Sequence, residues 1–258
     1  MKKSILVKLL GFPATLIHGD TLVLDRWLWL RRYLPETKNN ETLIDVGCGS
    51  GAFVIGASLR GYDSLGLSWD ESNQKKAIDR AAVCKADLAS FKVADVRQLD
   101  EQKSIGSFDI VVNTENIEHI LNDKKLFNDM YTLLKPGGHL LLTTPYLYYQ
   151  AISNFDKGPF AKVENGAHVR RGYTEEMLKE LCDNTGFKVE NISFCSGIIS
   201  QKLCSMQRIL SGRWPLLGWA SILVFRILPP VFDKFVTSIL NKPYFSICLV
   251  AYKPRFSK

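Results

Sequence analysis

The chain has 258 residues, 46% of them hydrophobic, and a formal net charge of +7, so one domain with one substantial core is the expectation. No run reaches the roughly eighteen uninterrupted apolar residues of a membrane-spanning helix, and the six cysteines (Cys48, Cys84, Cys182, Cys195, Cys204, Cys248) are scattered without a C-x-x-C pair, which suits reduced thiols in a cytoplasmic compartment. The positive balance suits nucleic acid, an anionic membrane surface or an acidic substrate and does not choose among them.

Met1 to Pro13 begins basic and apolar, yet Lys8 and Pro13 interrupt it and no small-x-small cleavage site follows, so the segment is expected to be retained. Between Thr15 and Leu34, Leu24, Trp27, Leu28, Arg31 and Leu34 recur at helical spacing, which predicts an amphipathic helix. Thr42 to Phe53, T-L-I-D-V-G-C-G-S-G-A-F, reads as a buried strand, a turn with Gly47, Gly49 and Gly51, and the start of an apolar helix. Glycines at alternate positions bring a ligand close to the main chain. Asp45 beside that cradle repels a pyrophosphate and favours a cation.

D-V-G-C-G-S-G resembles the first motif of the class I S-adenosylmethionine-dependent methyltransferases, and the resemblance runs from about Arg26 to Gly186 and returns in the last ten residues. It implies that Asp45, Gly47, Cys48, Gly49 and Gly51 hold the methionine end of the cofactor. In the family a helix like that before the first strand covers the cofactor and contributes to substrate choice; packing on the sheet is the other reading.

Asp63 to Leu67 follows as a second strand and Glu71 to Lys85 as a helix. The family places an acid for the ribose hydroxyls at the end of this strand, where this chain has Ser68, so ribose binding is expected to be weaker or helped by Asp70. Trp69 offers a flat ring to the adenine. Phe91 to Ala94 is read as the third strand, leading to Asp95 and Val96 at the adenine edge. Phe108 to Val112 is the fourth, with Asn113 counted among the cofactor contacts. N-T-E-N-I-E-H-I comes next, then a helix from Leu121 to Leu134, and K-P-G-G-H-L-L-L-T-T-P turns into a fifth strand.

His119 and Glu118 are the catalytic expectations, His119 as the base for a hydroxyl acceptor or merely as an anchor of its loop. E-x-x-E-H, formed by Glu115, Glu118 and His119, also resembles quinone-precursor O-methyltransferases in which such a cluster can hold a divalent metal, although no metal is assigned here. His168, Arg170 and Tyr173 fall where the family brings a substrate loop across the pocket. Arg170 or Arg171 would pair with a carboxylate or phosphate, or simply flank a helix start.

Thr174 is a good N-cap for a helix ending near Gly186, and F-K-V-E-N-I-S-F and Phe245 to Tyr252 read as the last two strands. Alternating units predict an α/β fold, a doubly wound, mostly parallel seven-stranded sheet with its site at the strands' carboxyl ends and, as the family implies, an antiparallel last strand. The organisation expected is a helical cap at 1–40, a cofactor-binding core at 41–195, an apolar helical insertion at 196–243 and a final strand at 244–258. The insertion is a lid over an apolar pocket, a membrane or homodimer contact through 208–234, or simple core packing.

No D/N-P-P-Y follows the fourth strand, no Pro-Cys pair occurs, and basic residues are dispersed, so no nucleic acid is expected as partner. The resulting expectation is methyl transfer from S-adenosylmethionine to oxygen of a small or lipid-linked, lipophilic acceptor. Carbon methylation or cyclopropanation of a lipid, and a non-catalytic cofactor-binding scaffold, are the alternatives.

Overall fold

Seven apolar runs pair into one sheet: β1 Thr42–Val46, β2 Asp63–Ser68, β3 Ala89–Val93, β4 Phe108–Thr114, β5 Leu134–Pro145, β6 Lys188–Cys195 and β7 Ser246–Tyr252, in the order β3-β2-β1-β4-β5-β7-β6. The computed structural model describes residues 5–17, 22–101, 105–152, 154–214 and 222–255. Strands β1 to β5 run parallel, and β7 lies antiparallel between β5 and β6. Central strands buried on both faces explain why β1 and β4 read as continuous apolar runs. Leu43 packs with Trp27, Trp29 and Phe53 on one face, while Ile44, one residue on, packs with Phe127 and Met130 on the other.

The helices are α1 Ile5–Leu10, α2 Phe12–Ile17, α3 Val23–Leu30, α4 Ala52–Ser58, α5 Glu71–Cys84, α6 Asp123–Leu133, α7 Glu175–Thr185, α8 Ile198–Arg213 and α9 Leu228–Ile239. The expected single helix from Thr15 to Leu34 is instead α2 and α3, separated by residues 18–21, which lie outside the described residues. Thr174 caps α7 by accepting from the Met177 amide at 3.3 Å, and Gly186 ends it at φ 90°. Asp70, the expected helper at the ribose, caps α5 with Oδ1, accepting from the Ser72 amide at 2.7 Å, while its own amide donates to Ser68 Oγ at 3.3 Å. A carboxylate one residue before a helix finds unsatisfied amides nearer than any ligand.

The insertion forms α8 and α9. Pro229 and Pro230, read from sequence as interruptions, sit in the first turn of α9, where a missing N–H costs no hydrogen bond. On its inner side α9 carries polar groups: Asp233 accepts from the amides of Gly197 at 2.6 Å and Ile199 at 2.7 Å, and Thr237 Oγ1 from that of Ile198 at 2.8 Å. Those are unpaired N–H groups of the first turn of α8, so α9 serves as a cap supplied from 36 residues away. Among the described residues, no helix is long and apolar enough to cross a membrane.

Candidate functional site

Strand β1 ends in a turn whose amides of Gly47 and Cys48 donate to Leu67 O at 3.0 and 2.8 Å, tying the loop to β2. Gly47 has φ 96°, and a Cβ there would lie 2.6 Å from the Asn116 side chain; Gly49, at φ 51°, faces open space. The main chain therefore forms the wall of a cavity of about 380 Å³. Gly47, Gly49, Ser68, Trp69, Asp95 and Val96 all border it, as the sequence led one to expect.

Three other expected cofactor residues stand behind that wall. Cys48 turns its thiol toward Gln74 Nε2 at 3.6 Å, and a Cβ on Gly51 would strike Ala77 and Phe91 at 2.7 Å, so both face the packing of α4 against α5 and β3. Asn113 is fully buried and donates from Nδ2 to Val46 O at 2.7 Å, which fixes the ends of β1 and β4 against each other. Trp69 is two-thirds exposed, leaving a ring face open beside the cavity.

Asp45 is wholly buried just behind the cavity wall, and among the described residues neither carboxylate oxygen has a hydrogen-bond partner. Burial alone pushes its carboxyl from 3.8 up to about 7. A buried acid without a donor is costly unless a cation or N–H donor completes it. This orphaned carboxylate and the glycine wall fit a ligand carrying an amino group.

Asp95 is engaged by its neighbour. Arg97 Nε lies 2.8 and 2.9 Å from its two oxygens and holds the carboxyl below the ordinary range, while Arg97 Nη1 reaches Glu164 Oε2 at 3.0 Å. Arg97 and Glu164 both border the cavity, so this chain of charges links its floor to the segment that crosses it.

A second cavity, of about 590 Å³, adjoins the first and shares Glu115 and His119 with it. Its walls combine Phe160, Phe245 and Pro159 with Arg26, Arg208 and His168. Glu115 takes φ 46°, unusual for a non-glycine residue, which aims its carboxylate back under the sheet end. There Oε2 meets Arg26 of α3 at 3.2 Å, and Oε1 accepts from Thr143 at 3.1 Å and Ser246 at 2.9 Å. Sequence reasoning had no signal for Arg26, Arg208, Phe160 or Phe245, because they come from distant elements. Arg26→Ala leaves a nearly buried carboxylate without its cation, and urea denaturation at neutral pH is expected to show a loss of about 3–5 kcal/mol. The Arg26→Met, Glu115→Gln double variant is expected to recover most of it.

Glu118 is buried, accepts from Thr144 Oγ1 at 3.1 Å, and is pushed well above the ordinary carboxyl range by burial and then by the Glu115 charge. Both effects favour its neutral form. His119 Nε2 stands 3.8 Å from Glu118 Oε1, its Nδ1 has no hydrogen-bond partner among the described residues, and burial lowers its pKa. The His168 ring lies 4.6 Å away and perpendicular, its own pKa lowered to about 4 by burial and then by His119. Ligand atoms of Glu118, His119 and His168 lie within 4.8 Å of one another, a donor set able to meet a divalent ion. Glu115, the first residue of the E-x-x-E-H reading, is instead turned to Arg26.

Arg170 and Tyr173 do not reach either cavity. Arg170 binds Asp123 and the carbonyls of Ile120 and Leu121 at 2.7 and 2.9 Å, and the buried Tyr173 hydroxyl donates to Asp123 at 2.9 Å. Arg171 donates to Tyr149 O at 2.7 Å. These residues brace the crossing segment from below, because Asp123 at the start of α6 is the nearest unsatisfied acid.

A family model described as a methyltransferase domain matches residues 24–192, well over half of the chain. Tocopherol O-methyltransferase, a chloroplastic protein of Arabidopsis thaliana, is 34% identical over 111 residues, and ubiquinone biosynthesis O-methyltransferase of Acinetobacter baylyi is 30% identical over 104 residues. Those stretches are 42% and 40% of this chain but only 31% and 43% of the two proteins, so the match spans less than half of either. Among solved structures, geranyl diphosphate C-methyltransferase from Streptomyces coelicolor, in complex with Mg²⁺, geranyl diphosphate and S-adenosylhomocysteine, superposes with a TM-score of 0.59 at 14% identity, covering 88% of this chain and 79% of that one. At that identity the likeness shows the fold alone.

Proposed function

From the premise that the chain belongs to the methyltransferase-domain family, as a class I S-adenosylmethionine-dependent enzyme, we propose that it methylates an oxygen of a small lipophilic acceptor seated in the second cavity. The observation that carries this reading is the junction itself: His119 and Glu115 border both cavities, and the larger one has aromatic walls. The cofactor supplies an electrophilic methyl group on a sulfonium sulfur. Asp45 and the Gly47–Gly49 main chain would hold its amino-acid end, Ser68 and Trp69 its adenosine, and Asp95 and Val96 its adenine edge.

His119 takes the acceptor's hydroxyl proton, since burial lowers its pKa and keeps the ring neutral near pH 7. His168, edge-on to that ring, limits its rotation and keeps a second cation away. Phe160 and Phe245 exclude water and orient the acceptor's apolar body. The names of the two O-methyltransferase relatives support oxygen over carbon.

The test is uptake of label from methyl-labelled cofactor into phenols, catechols and prenylated quinols, with the product's methyl position read by carbon NMR. O-methyl product is expected. A C-methyl or cyclopropane product overturns the choice of oxygen and leaves the cofactor assignment standing.

A further inference from the structure

Helix α9 is amphipathic in the wrong direction for a helix lying on a protein. Its inner side carries Asp233 and Thr237, both buried, which cap α8. Val231, Phe232, Phe235 and Ile239 occupy a sector of roughly 100° on the opposite side and are 63%, 49%, 67% and 65% exposed. The turn before it, Val224 to Ile227, and the end of α8 add further exposed apolar side chains, Trp214 among them. Because the caps from Asp233 and Thr237 fix the rotation of α9, this face cannot turn inward without stripping the amides of α8. Among the described residues nothing covers it, and an exposed apolar face of this kind marks a contact surface.

We propose that this face docks the protein on an anionic lipid bilayer, with α9 lying in the plane of the headgroups. Charge selects the occupant. Residues 196–243 contain six basic residues and a single acid, Asp233, and that acid is buried among backbone amides. Lys202, Lys234 and Lys242 are exposed. Two copies meeting on the same patch would bring two such cationic segments together, whereas anionic headgroups neutralise them. Exposed aromatics beside lysines are the composition of a helix embedded at the depth of the headgroups.

Helix α8 connects this surface to the site, since Arg208 on it borders the second cavity. A bilayer-held acceptor would thus enter along α8 without crossing water. Surface binding is nevertheless measurable whatever the acceptor is.

The experiment is flotation of the full chain with vesicles of phosphatidylcholine alone and of phosphatidylcholine with phosphatidylglycerol. Wild type is expected to float with the anionic vesicles and to be released by high salt. A Phe232→Asp, Phe235→Asp variant is expected to lose roughly tenfold or more of its partitioning, with unchanged melting temperature and cofactor affinity, because both side chains face outward. Three results overturn the proposal: no flotation with anionic vesicles, equal flotation with phosphatidylcholine alone, or an undiminished variant. A doubled mass by light scattering that the same variant abolishes overturns it in favour of a second copy.

Discussion

Asp45→Asn is expected to abolish measurable cofactor binding and at the same time to raise the melting temperature of the ligand-free protein at pH 8. The two effects share one cause. The Asp45 carboxyl titrates at about 7 in the fold against an ordinary 3.8, through burial with no compensating partner. Between those values folding takes up a proton that the unfolded chain has already released. Ligand-free stability therefore falls as pH rises from about 4 to about 7 and levels off above, a loss of up to roughly 4 kcal/mol. A neutral amide escapes that cost, so the variant's melting temperature should be higher by up to roughly 10 °C at pH 8 and nearly flat with pH.

On the proposed reading the carboxylate is kept for the ligand's ammonium, and the amide cannot replace that charge attraction in a dry site. Calorimetric titration with S-adenosylmethionine and thermal scans from pH 5 to pH 8 read both halves. A variant that binds as tightly as wild type sinks the assignment of the loop; one that melts lower sinks the claim that Asp45 is held at a cost.

How far the sequence alone reached depends on whether a feature is local. The glycine turn, the strand alternation and the Thr174 cap are written in consecutive residues, and each sits where its pattern put it. The mostly parallel seven-stranded sheet followed from alternating units, and its antiparallel last strand from the family resemblance. What escaped was set by competition or by distance. Asp95 borders the cavity as a ligand carboxylate would, but its partner Arg97, two residues on, and the cap that Asp70 supplies to the Ser72 amide were not legible, because nothing in the pattern says which nearby donor a carboxylate takes in the ligand-free protein.

Arg170 was drawn to Asp123 across 47 residues, and Arg26 to Glu115, for which no periodicity exists to be read. The prolines of α9 misled for a different reason: they signal a helix start as well as a helix break, and only the position of Asp233 under the α8 terminus decides which.

His119→Ala is expected to lower kcat by about 10²–10⁴ with less than about threefold change in cofactor affinity, whereas Glu118→Gln is expected to stay within a few-fold of wild type. The contrast follows from the protonation states around the junction. Glu115 is engaged by Arg26, and burial and then the Glu115 charge push the Glu118 carboxyl well above its ordinary value, toward the neutral acid. His168 is neutral too, but it borders only the second cavity. His119 alone among these four both borders the two cavities and is a neutral base near pH 7 that no charged partner among the described residues holds.

Glutamine reproduces the shape of a neutral Glu118 and can still accept from Thr144, so it should be tolerated. Were Glu118 instead the ionised base, or a carboxylate ligand of a required metal ion, the amide would fail while a His119 with only an anchoring role could be dispensed with. Single-turnover rates for the two variants, measured with and without Mg²⁺ under saturating cofactor, separate these cases. A dead Glu118→Gln beside an active His119→Ala moves the proton acceptor from the imidazole to the carboxylate.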